Sequence, residues 1–134
     1  MNCLDSAFLV DFLDSEQEYH DAATEWMRER ADERFATPAI CAFEVLRGAA
    51  RAGEDRFDRA VGFLRTLEVL ELGLAGVIAA GDLNGRLHAD GAPLSARDTL
   101  VASPARECGY ALVTRDRDFG DAPGLDVVFY DGLE

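Results

Sequence analysis

An α/β fold built on a mainly parallel sheet is predicted for this chain of 134 residues, and three observations carry the expectation. Short β-type runs alternate with stretches of helical periodicity, the pattern of strands joined by helical crossovers. Several helical stretches open on recognisable start signals. Hydrophobic residues make up 49 % and charged residues 29 % of the chain, ordinary globular usage, so one domain over residues 1–134 has enough apolar side chains for its own core.

The first strand is expected over residues 2–5. Ser6 then caps a helix whose Phe8, Leu9, Phe12 and Leu13 form an apolar face, with Asp11 and Asp14 turned outward. Tyr19, Ala22, Ala23, Trp26 and Met27 repeat at helical spacing to about Asp32, which makes Trp26 a core or subunit-interface residue rather than a base-stacking platform. A short strand at Arg34–Ala36 leads to Thr37 and Pro38, an N-cap followed by proline at the first helical position. That helix runs to about Ala52, Gly53 stops it, and another follows with Phe57, Val61 and Leu64 on one face. Residues 67–72 alternate like a strand or extend the preceding helix. Leu74, Val77, Ile78 and Gly81 begin a further helix that Gly85 and Gly91 weaken, and those glycines suggest close helix packing. After a turn at 91–93, Ser95 opens a helix carrying Asp98. Residues 110–114 form a buried strand, 115–124 a compact segment and 126–130 the last strand.

The basic residues number 13 against 26 acidic ones, all are arginine, and the formal net charge is -13. No basic stripe advertises nucleic acid. Excess acid without lysine suits a high-salt cytoplasm, where mutual repulsion is screened within about 3 Å near 1 M salt; a GC-rich genome, which favours arginine codons, is the alternative. A halophilic chain is expected to melt at higher temperature as potassium chloride rises from dilute buffer toward molar concentration. A flat or falling melting curve over that range rejects the halophilic reading.

Cys3, Cys41 and Cys108 are odd in number, scattered and set in apolar surroundings, which reads as buried thiols in a reducing compartment. No stretch approaches the length of a membrane span, and Asp5 and Asp11 break any signal-peptide pattern, so no membrane association and a cytoplasmic location are expected. His20 and His88 lack a second ligand at zinc spacing. Ser6, Ser103, Cys41 and Cys108 have no identifiable base to activate them. The glycines at 73, 76 and 81 fit neither a dinucleotide nor a P-loop fingerprint.

Four acids stand out by position: Asp5 and Asp116 end strands, Asp98 begins a helix, and Glu44 lies nearly two turns inside one. Ligands in open α/β sheets bind beyond the carboxyl ends of the strands, and carboxylate oxygens are what hard divalent cations take. Each acid also has an ordinary structural role. Asp5 is placed to cap a helix, Asp98 to complete a capping box with Ser95, Glu44 to pair with Arg47, and Asp116 to make a turn with Asp118.

The segments around these acids carry a family resemblance. LDSAFLVDFL at 4–13, TPAICAFEVLRG at 37–48, DTLVA at 98–102 and LVTRDRDF at 112–119 resemble the four acidic motifs of PIN-domain ribonucleases. The compact length is most similar to VapC-type toxins of type II toxin–antitoxin systems. The resemblance implies a three-layer α/β/α sandwich around the parallel sheet. It also implies a magnesium- or manganese-dependent cleavage of RNA by Asp5, Glu44, Asp98 and Asp116. Ser6 and Thr114 are implied as hydroxyl auxiliaries and Asp118 as a supporting acid. Because the net field of the chain repels RNA, bound cations and a few arginines, Arg47, Arg97 and Arg115, are expected to draw it. The expected partners are an RNA substrate, a cognate antitoxin and a second copy of the chain. A catalytically silent or housekeeping PIN domain, serving protein interaction or RNA processing, is the alternative. A receiver-like domain, which also gathers acids around magnesium, needs a lysine this chain lacks. The chain departs from the pattern at Ser103 and Pro104, where a proline inside the helix removes one hydrogen bond and bears on the placement of Asp98.

Overall fold

The computed structural model describes residues 1–132. Its elements are β1 (Asn2–Leu4), α1 (Ser6–Leu13), α2 (His20–Arg28), β2 (Phe35–Pro38), α3 (Ala39–Ala52), α4 (Glu54–Leu64), β3 (Glu68–Leu70), α5 (Leu74–Ala89), α6 (Ala96–Cys108), β4 (Ala111–Thr114) and β5 (Val127–Phe129). A short 3-10 helix spans Arg117–Asp121. The five strands form one sheet in the order β3-β2-β1-β4-β5, every neighbouring pair parallel. Chain order moves outward from β1 through β2 to β3, then jumps back across the sheet to β4 and β5. Right-handed crossovers therefore place α1 to α4 on one face and α5 with α6 on the other. This matches the packing of α3 on α4 and α1, and of α5 on α6.

The inner strands are apolar because both of their faces are covered. Cys3, Leu4, Ala36, Leu112 and Val113 have no exposed surface, and Cys3 sits in register with both Ala36 and Leu112. Phe8 fills the layer above, with edge-on contacts to Trp26 and Tyr130 at ring-centroid separations of 5.4 and 4.9 Å. Trp26 is a core residue, 7 % exposed. Gly53 ends α3 with φ of 135°, a conformation open to glycine, and begins α4 directly.

Several local expectations are corrected. Asp11 does not look outward: it is 1 % exposed. Thr37 does not cap α3. It belongs to β2, donates its hydroxyl to the Leu4 carbonyl at 2.8 Å, and leaves Pro38 as the residue before the first helical turn. The second helix ends at Arg28, short of Asp32. Residues 68–70 are a strand, paired with β2, rather than a helical extension. A methyl group added at Gly85 or Gly91 would meet nothing within 4 Å among the described residues, and Gly91 lies beyond the end of α5, so neither glycine marks close helix packing. Cys108 is exposed, while Cys3 and Cys41 are buried; burial raises both of those thiols, Cys41 to about 12, and leaves them unreactive. α6 runs unbroken through Pro104 to Gly109, which closes it in the left-handed conformation. Asp98 therefore stays on the first turn of a continuous helix. Among the described residues no helix is long and apolar enough to cross a membrane.

Candidate active site

Strand order reverses between β1 and β4, and a crevice forms beyond the carboxyl ends of strands at such a switch point. Asp5 follows β1 immediately and is 3 % exposed. One of its oxygens caps α1, accepting the Phe8 N–H at 2.8 Å, and the other accepts the Thr114 hydroxyl from the end of β4. The cap is thus Asp5 and not Ser6. Thr114 in turn accepts the Asp116 N–H at 3.0 Å, so its hydroxyl joins the ends of the two central strands. Burial pushes the Asp5 carboxyl up to about 6, against the lowering effect of its two hydrogen bonds and of Arg97 and Arg115. Asp116 is half-buried and caps the 3-10 helix by accepting the Asp118 N–H at 2.9 Å, while Asp118 is exposed.

Glu44, Ser6 and Asp98 form a second group, and Arg97 is its centre. The Ser6 hydroxyl donates to Glu44 Oε1 at 2.6 Å. The Arg97 guanidinium donates to both Glu44 oxygens, at 2.6 and 3.1 Å, to Asp98 Oδ1 at 2.7 Å and to Ser6 Oγ at 3.0 Å. Arg97 is the main cause holding Glu44 below the usual carboxylate range, with Ser6 contributing, and Glu44 raises Arg97 in return. The structural role foreseen for Glu44, a pair with Arg47, is replaced by this one. The Asp98 N–H does bond Ser95 Oγ at 3.0 Å, but its carboxylate is held by Arg97.

The peptide bond between Asp5 and Ser6 links the two groups, so one chain of contacts runs from the Asp116 backbone N–H through Thr114, Asp5, Ser6, Glu44 and Arg97 to Asp98. Among the described residues, no three acidic, histidine or cysteine side chains close around a point able to hold a metal ion. The donor set nonetheless suits a hard divalent cation, because every donor is oxygen and two of the carboxylates already converge on a positive charge. That positive charge is Arg97, whose central place sequence reasoning missed. Its position directly before Asp98 was the available signal. His20, half-buried, bonds through Nδ1 with the Asp11 carbonyl at 2.8 Å and lies outside these groups.

A model of the PIN domain family matches residues 3–125. The tRNA(fMet)-specific endonuclease VapC of Salmonella typhimurium is 29 % identical over 109 residues, covering 77 % of this chain and 83 % of that protein. FitAB bound to a DNA fragment superposes with a TM-score of 0.87 at 19 % identity, covering 100 % of this chain and 98 % of that one. DNA-bound VapBC from Salmonella typhimurium gives a TM-score of 0.75 at 23 % identity, covering 97 % of this chain and 99 % of the other. These two structural likenesses concern the fold.

Proposed function

The chain belongs to the PIN domain family, and on that premise we propose that it is a divalent-metal-dependent endoribonuclease acting as the toxin of a toxin–antitoxin pair. Asp5, Glu44, Asp98 and Asp116 are the catalytic and metal-holding acids of this reading, which takes residues 1–134 as one cytoplasmic nuclease domain. The observation that carries it is the convergence at the β1/β4 switch point, where the Thr114 hydroxyl contacts both the Asp5 carboxylate and the Asp116 backbone. Magnesium or manganese, when bound, supplies a nucleophilic water at neutral pH and offsets charge developing on the phosphodiester. Asp5 and Asp116 supply oxygen ligands from the strand ends, Asp98 and Glu44 from the helices. Ser6 orients the Glu44 carboxylate, Thr114 fixes the Asp5 carboxylate, and Asp118 supports the turn that aims Asp116.

RNA approaches against the net field of the chain, so local cations matter. Arg97 and Arg115 are engaged by carboxylates. Arg47 is exposed on the same helix as Glu44, 5.7 Å from the ring centre of Phe43, which is itself 60 % exposed. This pair is the contact for an incoming strand in our reading, phosphate on the guanidinium and base on the ring. The outer face of α5, where Leu74, Val77 and Ile78 are 76, 48 and 64 % exposed, supports a homodimer. The antitoxin partner rests on likeness to VapC and to the VapBC complex.

Cleavage of RNA in magnesium or manganese, with wild type compared against Asp98→Asn, tests the activity. Wild type is expected to cut, EDTA to stop it, and the variant to lose cleavage by orders of magnitude with its fold retained. Cutting undiminished in EDTA rejects the metal-dependent reading. The hold of Arg97 on Glu44 and Asp98 is the one observation that favours a catalytically silent interaction module; no cleavage by wild type under any divalent ion would decide for it.

A further inference from the structure

We infer that Arg97 is an internal latch on the metal site: its guanidinium is the resident positive charge between Glu44 and Asp98, and a divalent cation gains those two carboxylates only as Arg97 leaves them. The inference rests on the reading above that these acids bind metal, and it adds a competitor from the same chain.

The geometry is that of a plug. Three nitrogens of one guanidinium are committed, Nε and one terminal nitrogen to Glu44 and the other terminal nitrogen to Asp98, with Ser6 closing the ring. Charge-assisted contacts at 2.6 and 2.7 Å sit at the short end of the hydrogen-bond range. Were the guanidinium absent, Glu44 and Asp98 would face each other in a chain whose net charge is -13, with like-charge repulsion uncompensated. Arg97 therefore stabilises the site without metal, and for the same reason its hold opposes metal entry.

The latch is also built to open. The Arg97 side chain is 38 % exposed, against 25 % for Glu44 and 18 % for Asp98. Its head has a path to water on a flexible stem, and ion pairs at such exposure are modest in strength. Glu44 and Asp98 reach the pair from different helices, α3 and α6, so both can keep their backbone positions while the guanidinium departs. A divalent ion brings twice the charge to the same oxygens and prefers them as hard ligands. Asp5 adds a carboxylate already in place at the end of β1, its oxygens held by the Thr114 hydroxyl and the Phe8 N–H, both neutral donors. The functional consequence is a threshold, with the site kept closed below the divalent concentration that displaces Arg97.

Calorimetric titration of Mn²⁺ into metal-free wild type, Arg97→Gln and Arg47→Gln tests this without reference to cleavage. Arg47→Gln removes the same charge one helical turn from Glu44 and controls for the general field. Arg97→Gln is expected to bind Mn²⁺ roughly three- to tenfold more tightly than wild type, within the range for losing two part-exposed ion pairs, those to Glu44 and Asp98. Arg47→Gln should gain less than about twofold, because salt screens an exposed charge at that range. In wild type the Arg97 Nε–H resonance should be protected without metal and should shift and lose protection on saturation with Mg²⁺. The latch is overturned if Arg97→Gln gains no more than Arg47→Gln, or if the Nε–H stays protected in the Mg²⁺-saturated protein. No Mn²⁺ uptake by any of the three proteins overturns the metal reading and the latch together, whereas uptake at equal affinities overturns the latch alone.

Discussion

Asp5→Asn is expected to lose RNA cleavage by orders of magnitude and, at the same time, to raise the melting temperature of the metal-free protein. The two effects share a cause. Asp5 is 3 % exposed, and burial raises its carboxyl from 3.8 to about 6. A carboxyl whose folded value lies above its unfolded value binds protons more tightly in the folded state. Its penalty is therefore absent below about pH 4, grows through the window up to about 6, and is present in full above it. A shift of about two units corresponds to roughly 3 kcal/mol at neutral pH, an upper figure for what the neutral amide recovers. Asparagine keeps an acceptor for the Phe8 N–H and can donate to Thr114 Oγ, so little is lost in exchange. Metal-free wild type should lose stability between pH 4 and 6 in denaturant titrations, while the variant changes less over the same window. A variant less stable than wild type at pH 7 would mean that the charge of Asp5 is well compensated and that burial does not dominate. Cleavage at the wild-type rate would remove Asp5 from the site altogether, since charge stabilisation dominates phosphoryl chemistry.

Much of this arrangement was legible in the sequence because it depends on local pattern. The alternation of strand and helix, the break at Gly53 and the core role of Trp26 follow from periodicity and backbone preference. Asp5 and Asp116 are readable as strand-end acids, and both also perform the capping roles that ordinary structure would give them. What escaped was set by partners distant in sequence. Thr37 looks like a helix cap until the Leu4 carbonyl, 33 residues away, takes its hydroxyl. Arg97 looks like a surface cation until the fold brings Glu44 to it across 53 residues. Exposed Cys108 and the open space at Gly85 and Gly91 likewise follow from tertiary placement. Asp11 was readable in part, since it stands three residues after Phe8 and so flanks the buried stripe of its helix. Its charge argued for solvent, and only the arrival of Arg115 and Tyr130 reverses that.

Asp11→Ala is expected to destabilise the fold by about 2–3 kcal/mol, far more than loss of an exposed acid. Asp11 Oδ2 accepts from Arg115 Nε at 2.9 Å and from the Tyr130 hydroxyl. Both partners come from the C-terminal end of the chain, 104 and 119 residues away, so the contact closes β4 and the segment after β5 onto α1. Tyr130 is 5 % exposed, and its hydroxyl would lose its acceptor where water does not readily replace it. Arg115 is different. Its side chain is 35 % exposed and stacks over Tyr19 at 4.5 Å from the ring centre, so an orphaned guanidinium can turn to water. That escape keeps the expected cost below the full penalty of a stranded buried charge. Tyr130→Phe removes the donor and leaves Asp11 its arginine, for a cost of about 1 kcal/mol. Because both changes break the same bond, urea unfolding of the double variant should show less than the sum of the single losses, by about 0.5–1 kcal/mol. Strict additivity would show that Asp11 and Tyr130 act independently. Arg115 stands between Thr114 and Asp116, so the same network anchors the backbone that carries both groups to the site. Asp11→Ala should accordingly weaken Mn²⁺ binding although Asp11 is not among the acids proposed to hold the ion, and unchanged affinity would confine its role to stability.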